Sequence, residues 1–482
     1  MRILLTTEHS YPHHRVDVSR WCQSLLKGIP EHQFLILAIR SPSRLPIVYE
    51  RPKNVEKLIN APLFQARTGL KGLSPLDHRM FEQASRQMLG FLQQDLADFA
   101  QGISKLAKLG HQHQLWDAFE SPQFWRSLQS LLQQHLPYIP SLAEVAQCAK
   151  WLRSSLTPIL YIPAKTDLVH ATNTGLAGLA AWIASSHHGI PLVITEHEIY
   201  LRQRHLDTRQ PFALRVLQSQ FFQSLAKLLY LQADRIISTS EFVKTWQRQL
   251  KAPAERIQTI HNGIDPDLYT PSPVDEPVVL WSGHIEPKQD LETLIQAFWH
   301  VRRTIPDAKL KLFAKVLDTP LYQRLLELRQ NLGLSRAVCF HTLRPSQEIL
   351  AEGKVMAFVS QGEMIPFNLL EAMASQKAIV ATRVGGSGEA LGKAGRLVDQ
   401  KQPATLATAL IELLMYPKVR ETLGKRARHR ILQGYNLDTT LDTYANLYTE
   451  LTYTVHPSKS AVLLATDRPL EKPPIIVQDR AA

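Results

Sequence analysis

Short apolar segments alternate with helix-forming stretches along this chain, and the series runs twice. Strand-like segments stand at Arg2 to Thr6, Gln33 to Ile39, Asp167 to Ala171, Leu192 to Thr195 and Arg235 to Thr239. A second set stands at Val278 to Ser282, Lys309 to Phe313, Val338 to His341, Val355 to Val359 and Ala378 to Thr382. Strands that alternate with helices build parallel, doubly wound sheets, so the spacing predicts an α/β chain with two Rossmann-like halves. Between the sets, the proline-rich stretch from Pro266 to Pro273 reads as a linker. Two such halves facing each other across a linker enclose a cleft suited to a ligand. The expected division is 1–271, with a helical insertion at about 67–156, then 272–433, a last helix at 434–454 and a disordered tail at 455–482. The insertion has glutamine-rich polar faces. Packing bulk and a docking surface both account for it.

Length and composition set the outer limits. At 482 residues the chain is too long for one core. Its hydrophobic share of 44% and charged share of 20% are those of a soluble globular protein. No apolar run reaches membrane-spanning length, and Gly175 to Ala184 reads as a buried helix. The amino terminus carries one arginine and then a strand, unlike a signal peptide. Cys22, Cys148 and Cys339 are widely spaced in apolar contexts, which suggests buried thiols in a reducing cytosol and no metal cluster. The net charge of +12 suits a phosphate-rich ligand, an acidic partner or an anionic membrane face, and equally a basic solvated surface. The basic residues are scattered and no nucleic-acid motif is present, so nucleic acid is not expected as a partner.

The most informative stretch holds two acids, Glu363 and Glu371, eight positions apart. Glu363 follows the strand Val355 to Val359. Glu371 lies in an apolar helix-like run that Pro366 opens near its first turn. The strand Ala378 to Thr382 and the turn Gly385, Gly386 come next. Such a strand–loop–helix–strand unit sets a helix N-terminus at the carboxyl edge of a parallel sheet, where anions bind. A carboxylate on the loop can hold sugar hydroxyls, and one within the helix can hold a ribose. Spacing alone favours an ordinary βαβ unit with two surface acids.

The residue types change that balance. The acid, the proline-bearing loop, the run Leu369 to Ala374, the strand end Val380, Ala381, Thr382 and the glycine turn together resemble the paired-glutamate motif of the family 4 glycosyltransferases, which have the GT-B fold. Further stretches resemble the PelF-like members, the glycosyltransferases of Pel exopolysaccharide synthesis. They are Tyr11 to Arg15, Val18 to Trp21, Gly28 to Phe34, Arg51 to Val55, His170 to Gly175, Thr195 to Arg204, Asp318 to Tyr322 and Leu332 to Leu334. The resemblance covers nearly the whole chain except the tail, and Thr195, Glu196, His197 is its most specific block.

The resemblance implies a retaining transfer of a sugar from a UDP-linked donor, without a metal or other cofactor, to a growing polysaccharide or other glycan acceptor. It also implies a cytoplasmic protein, peripheral at the inner membrane in a polysaccharide-synthesis complex, whose last helix crosses back to the first domain. By the same resemblance, Glu363 holds the donor sugar and Glu371 the ribose. The turn Pro366, Phe367, Asn368, Leu369 lies at the diphosphate, and His197 faces the reacting sugar. Arg15, Val16 and Asp17, with Tyr200 and Arg202, form the acceptor side and its loop. A leaving diphosphate gathers negative charge, so such a site needs fixed cations and backbone N–H donors.

Several positions depart from the family pattern at the chemistry. Its arginine and lysine for the diphosphate are replaced by His284 and Gln289, with Lys288 adjacent and able to swing in, although a neighbouring loop position points elsewhere. The glycine pair after Arg15 is Val16 and Asp17, which brings negative charge toward a phosphate and removes the freedom that lets backbone approach a ligand. Glu198 stands for a glycine and Gln203 for a glutamate. Lys288, Lys315 and Arg344 are the candidate substitutes, and a phosphate would raise the pKa of His284. The alternative to an active enzyme is a catalytically impaired binding or scaffold subunit of the same kind of system.

Overall fold

The strands of this chain are buried on both faces. In the first sheet Leu4, Leu35, Leu37 and Ile39 enter one apolar cluster, while Ile3, Leu5, Phe34 and Ile36 enter another on the opposite side. Side chains alternate across a strand, so an unbroken apolar run requires cover on both faces, and helices supply it. The computed structural model describes residues 1–40, 45–63, 72–201, 210–271, 274, 276–362 and 364–453.

The first half holds β1 (Arg2–Glu8), β2 (Gln33–Arg40), β3 (Val55–Pro62), β4 (Leu168–Ala171), β5 (Leu192–Glu196), β6 (Arg235–Ser238) and β7 (Ile257–Thr259). They form a seven-stranded parallel sheet in the order β3-β2-β1-β4-β5-β6-β7. The second half holds β8 (Val278–Ile285), β9 (Lys309–Val316), β10 (Val338–Thr342), β11 (Val355–Phe358), β12 (Ala378–Thr382) and β13 (Arg396–Val398). Its parallel order is β10-β9-β8-β11-β12-β13. The expected pair of Rossmann-like sheets is present. β3, β7 and β13 escape sequence reading. They lie at sheet edges, where short or polar segments suffice: β3 exposes Glu56, Lys57 and Asn60.

Between β3 and β4 run the helices Pro75–Met88, Leu96–Gln112, Pro122–Gln133 and Leu142–Ser155. Ser74, Asp95, Ser121 and Ser141 cap them, each accepting a backbone N–H in the first turn. Phe91 and Phe99 pack edge-on against Phe221 of the helix Phe212–Gln232, at ring-centroid distances of 5.4 and 5.6 Å. These helices share one cluster with Leu35 and Leu37 of β2, so the insertion completes the core of the first sheet.

The helix Leu437–Tyr453 lies on the other face of that sheet. Tyr444, Leu447, Tyr448 and Leu451 join Ile3, Leu5, Trp21 and Leu25 in one cluster. Tyr448 Oη is 2.7 Å from Nδ1 of His170, and Thr195 Oγ1 is 2.7 Å from its Nε2. The chain crosses between the halves twice, side by side: Ile264 N–H donates to Tyr435 O (2.8 Å) and Leu437 N–H to Ile264 O (3.0 Å). Gly263 permits this approach, since a Cβ there would lie 2.5 Å from Thr440 Oγ1 and 2.6 Å from Leu437 Cα. Cys22 and Cys148 are buried as expected. Cys339 is only half-buried, because it sits on the edge strand β10.

Candidate active site

In parallel sheets ligands gather beyond the carboxyl ends of the strands, where the strand order reverses. Here that point falls between β1 and β4 in the first sheet and between β8 and β11 in the second. The loops leaving these ends, and β5 beside them, carry Asp17, Glu198, His284, Lys288 and the segment that opens the helix Phe367–Ala374. The two sets of loops meet. Phe367 N–H donates to Asp17 Oδ2 at 3.4 Å, a contact between residues 350 positions apart.

The block at the end of β5 shows which of its residues are structural. Thr195 is bonded to His170 and lies 3.2 Å from the Tyr444 hydroxyl. Glu196 is buried and accepts from Thr174 Oγ1 (2.6 Å), Tyr230 Oη (2.6 Å) and Gln247 Nε2 (3.0 Å). Burial pushes its carboxyl upward, and those three donors oppose the shift. His197 differs. It is 5% exposed, and both ring nitrogens are without a hydrogen-bond partner of good geometry. Asn262 is its weak side-chain partner, with Oδ1 poorly aligned to the ring. Burial lowers the pKa of His197 to about 3, so the ring is neutral at physiological pH. Buried polar atoms are usually paired, so a histidine this weakly bonded beside a cleft is a candidate ligand contact.

On the opposite wall the helix Phe367–Ala374 starts at Pro366, which has extended backbone there. The turn Gly385, Gly386 supports this loop. Gly385 has φ +51°, and a Cβ on Gly386 would lie 2.4 Å from Ile365 Cγ1. Leu369 is fully buried, and its N–H donates to Pro366 O at 3.1 Å. Asn368 Nδ2 donates to Ser282 O at 2.9 Å while its Oδ1 is buried without a partner. Glu371 is buried and accepts from the Tyr269 hydroxyl at 2.8 Å and from Arg20, with which it forms a salt bridge. Arg20 also donates to Tyr269 Oη at 3.0 Å and lies over the Phe367 ring, 4.7 Å from its centroid. Burial works against the charge of Arg20, but Glu371 and Tyr269 raise its pKa overall.

Charges in the cleft are mixed. Asp17 is accessible yet crowded by protein. That crowding raises its carboxyl, against the Phe367 N–H and Arg20. Glu198 is raised by burial, with Lys288 opposing and Asp17 and Glu286 adding to the rise. Lys288 Nζ lies 3.1 Å from Glu286 Oε1. The loop therefore turns Lys288 toward Asp17, Glu198 and His284, the side a substitute cation would have to face. His284 is pushed down by burial, with Glu286 opposing, so it is neutral. Lys315 pairs with His284 across the β8–β9 ladder. Arg344, another candidate cation, is bound to Glu352 and lies 3.7 Å from Glu348.

Other expected site residues are placed as follows. Arg15 and Val16 are exposed just before the helix Asp17–Gly28, with Val16 at its N-cap. Tyr200 packs inward: its hydroxyl donates to Glu8 Oε1 at 2.5 Å and its ring meets Phe222. Gln289 N–H donates to Glu286 O, closing the turn. The Phe367 side chain is buried in the cluster of Trp21 and Tyr444, and its backbone N–H, in the turn expected at the diphosphate, faces Asp17. Glu363, Arg202, Gln203 and the tail from 455 lie outside the described residues. Sequence reading missed Arg20, the partner of Glu371. A lone arginine in an amphipathic helix signals nothing by pattern.

Paired Rossmann-like sheets with a cleft at their switch points define the GT-B class. The family model described as "Domain of unknown function (DUF3492)" matches residues 1–255, and that described as "Glycosyl transferases group 1" matches residues 270–430. The chain belongs to the first family, and its second half matches the model of the group 1 glycosyltransferases. Among curated relatives, the D-inositol 3-phosphate glycosyltransferase of Thermobispora bispora is 26% identical over 62% of this chain and 74% of that protein. The Thermomonospora curvata enzyme of the same name is 28% identical over 62% and 75%. Among solved structures, sucrose-phosphate synthase from Thermosynechococcus elongatus has a TM-score of 0.62 at 19% identity, over 93% of this chain and 98% of that one. Anabaena HepE in complex with UDP and glucose has a TM-score of 0.61 at 17% identity, over 94% and 100%. Among the described residues no helix is long and apolar enough to cross a membrane.

Proposed function

We propose that this chain is a retaining glycosyltransferase that moves a sugar from a nucleoside-diphosphate donor, UDP-linked, to a growing polysaccharide or other glycan, without a metal. The observation that carries the reading is the meeting of the two loop sets, with the Phe367 N–H and the weakly bonded, buried His197 belonging to opposite walls of one cleft. HepE, a structural neighbour, is described in complex with UDP and glucose, which supports the choice of nucleotide. In this reading the amide end of the helix Phe367–Ala374 receives the diphosphate, whose charge grows as the bond to the sugar breaks. Glu371 takes the ribose hydroxyls, Glu363 the donor sugar, and Lys288 replaces the missing cations. His197 is neutral, so it acts on the sugar by hydrogen bonding. The PelF-like resemblance extends the reading to exopolysaccharide synthesis by a cytoplasmic protein at an inner-membrane complex.

Calorimetric titration with UDP and UDP-glucose, followed by a donor-hydrolysis assay, tests this. Binding below millimolar concentration is expected, and its absence ends the donor reading. Glu363→Ala is expected to abolish turnover without unfolding the protein, and unchanged transfer would remove Glu363 from the mechanism. A second reading, a catalytically impaired binding or scaffold subunit, is favoured by His284 and Gln289 at the cation positions. Turnover that appears only after His284→Arg and Gln289→Lys are combined would select it.

A further inference from the structure

The first turn of the helix Asp17–Gly28 engages both polar handles of the helix Phe367–Ala374. The Asp17 carboxylate takes the Phe367 N–H, and Arg20 takes Glu371 together with the linker residue Tyr269. Between these two contacts the Arg20 guanidinium covers the Phe367 ring, whose edge is buried in the first domain. The same arrangement recurs in reverse nearby. Glu389, in the helix Ser387–Leu391 of the second half, accepts the Glu241 N–H at the start of the helix Glu241–Gln249 of the first, at 2.8 and 3.1 Å. Each half thus offers a carboxylate to a helix N-terminus of the other.

We infer that Asp17 and Arg20 form an internal latch that competes with the donor nucleotide, Asp17 standing in for its phosphate and Arg20 occupying the carboxylate that takes its ribose. The inference rests on the donor reading above and adds a regulatory step to it. A phosphate oxygen and the Asp17 carboxylate are both anions that seek the same N–H, and they cannot share it. Arg20 and Tyr269 both hold Glu371 through Oε1, so a ribose hydroxyl that approaches that oxygen must displace them. Donor binding therefore requires the latch to open, and affinity is reduced by the fraction of molecules that remain latched. This gives a physical role to the departure at position 17, where a side chain replaces a small, neutral residue.

The test is calorimetry on the full chain with two probes, UDP and uridine, for wild type, Asp17→Asn and Arg20→Gln. Removing the carboxylate charge is expected to tighten UDP by about tenfold or more and to leave uridine unchanged. Arg20→Gln is expected to tighten uridine, since Glu371 is released. A misfolded Asp17→Asn would lose uridine as well, so that arm controls for folding. UDP bound equally by wild type and Asp17→Asn overturns the latch and leaves the donor reading standing. UDP bound by none of the three overturns both.

Discussion

His197 and Trp21 pack edge-on, with ring centroids 4.6 Å apart and planes at 62°. The indole is 4% exposed and also meets His170 and Tyr444, so it fixes three rings that come from β4, the end of β5 and the last helix. Trp21→Ala is expected to cost about 3–5 kcal/mol, the usual range for emptying a large buried aromatic site. Chemical denaturation measures the loss, and a cost under about 1 kcal/mol would show that the cluster collapses around the cavity.

His197 should make the fold acid-sensitive. Its folded pKa is about 3 against an ordinary 6.5, so between those values the unfolded chain binds the extra proton and stability falls as pH falls. Down to pH 5 one such histidine accounts for about 2 kcal/mol. His170 is lowered to about 3 by burial and adds a similar slope. Urea midpoints at pH 7.5 and 5 in wild type and His197→Gln check this: the variant should lose about 2 kcal/mol less across that interval. Equal losses would mean that His197 is protonated in the folded state.

The three donors on Glu196 set up a contrast between two substitutions. Glu196→Ala strands Thr174, Tyr230 and Gln247 in the core and should cost at least about 3 kcal/mol. Glu196→Gln keeps an acceptor for Tyr230 and Gln247, and the Thr174 hydroxyl can turn to accept from the amide. Its cost should stay near about 1 kcal/mol. Thermal unfolding of both variants gives the comparison, and a reversed order would show that the carboxylate charge itself is required.

Tyr448→Phe removes the hydroxyl that meets His170 Nδ1 without changing the packing of the last helix. The stranded ring nitrogen should cost about 1–3 kcal/mol. Hydrogen exchange should show increased opening of the helix Leu437–Tyr453 first, and unchanged protection there would uncouple that hydroxyl from docking.

The sequence carried the sheets because buried parallel strands must be apolar on both sides, and such runs survive without any contact information. Edge strands such as β3 do not carry that signature. The helix that Pro366 opens and the glycine turn after β12 were legible from residues whose backbone demands are local. Arg20 was not, because its meaning lies in Glu371 and Tyr269, 351 and 249 positions away. The directions of the Lys288 and Phe367 side chains were not legible for the same reason. Whether a side chain faces a cleft or a neighbouring core depends on a second domain that no local pattern encodes.

The docking of the helix Leu437–Tyr453 onto β1 and β4 has a consequence for biogenesis. Ile3 and Leu5 are synthesised long before Tyr444, Tyr448 and Leu451, which close the cluster that buries them. This face of the first sheet is therefore completed only after the second half has been made. While the second half emerges from the ribosome, one face of the first sheet waits uncovered, exposed to aggregation and to chaperones. Contacts across more than 400 positions also make this a slow closure, since so long a loop must be ordered before it is rewarded.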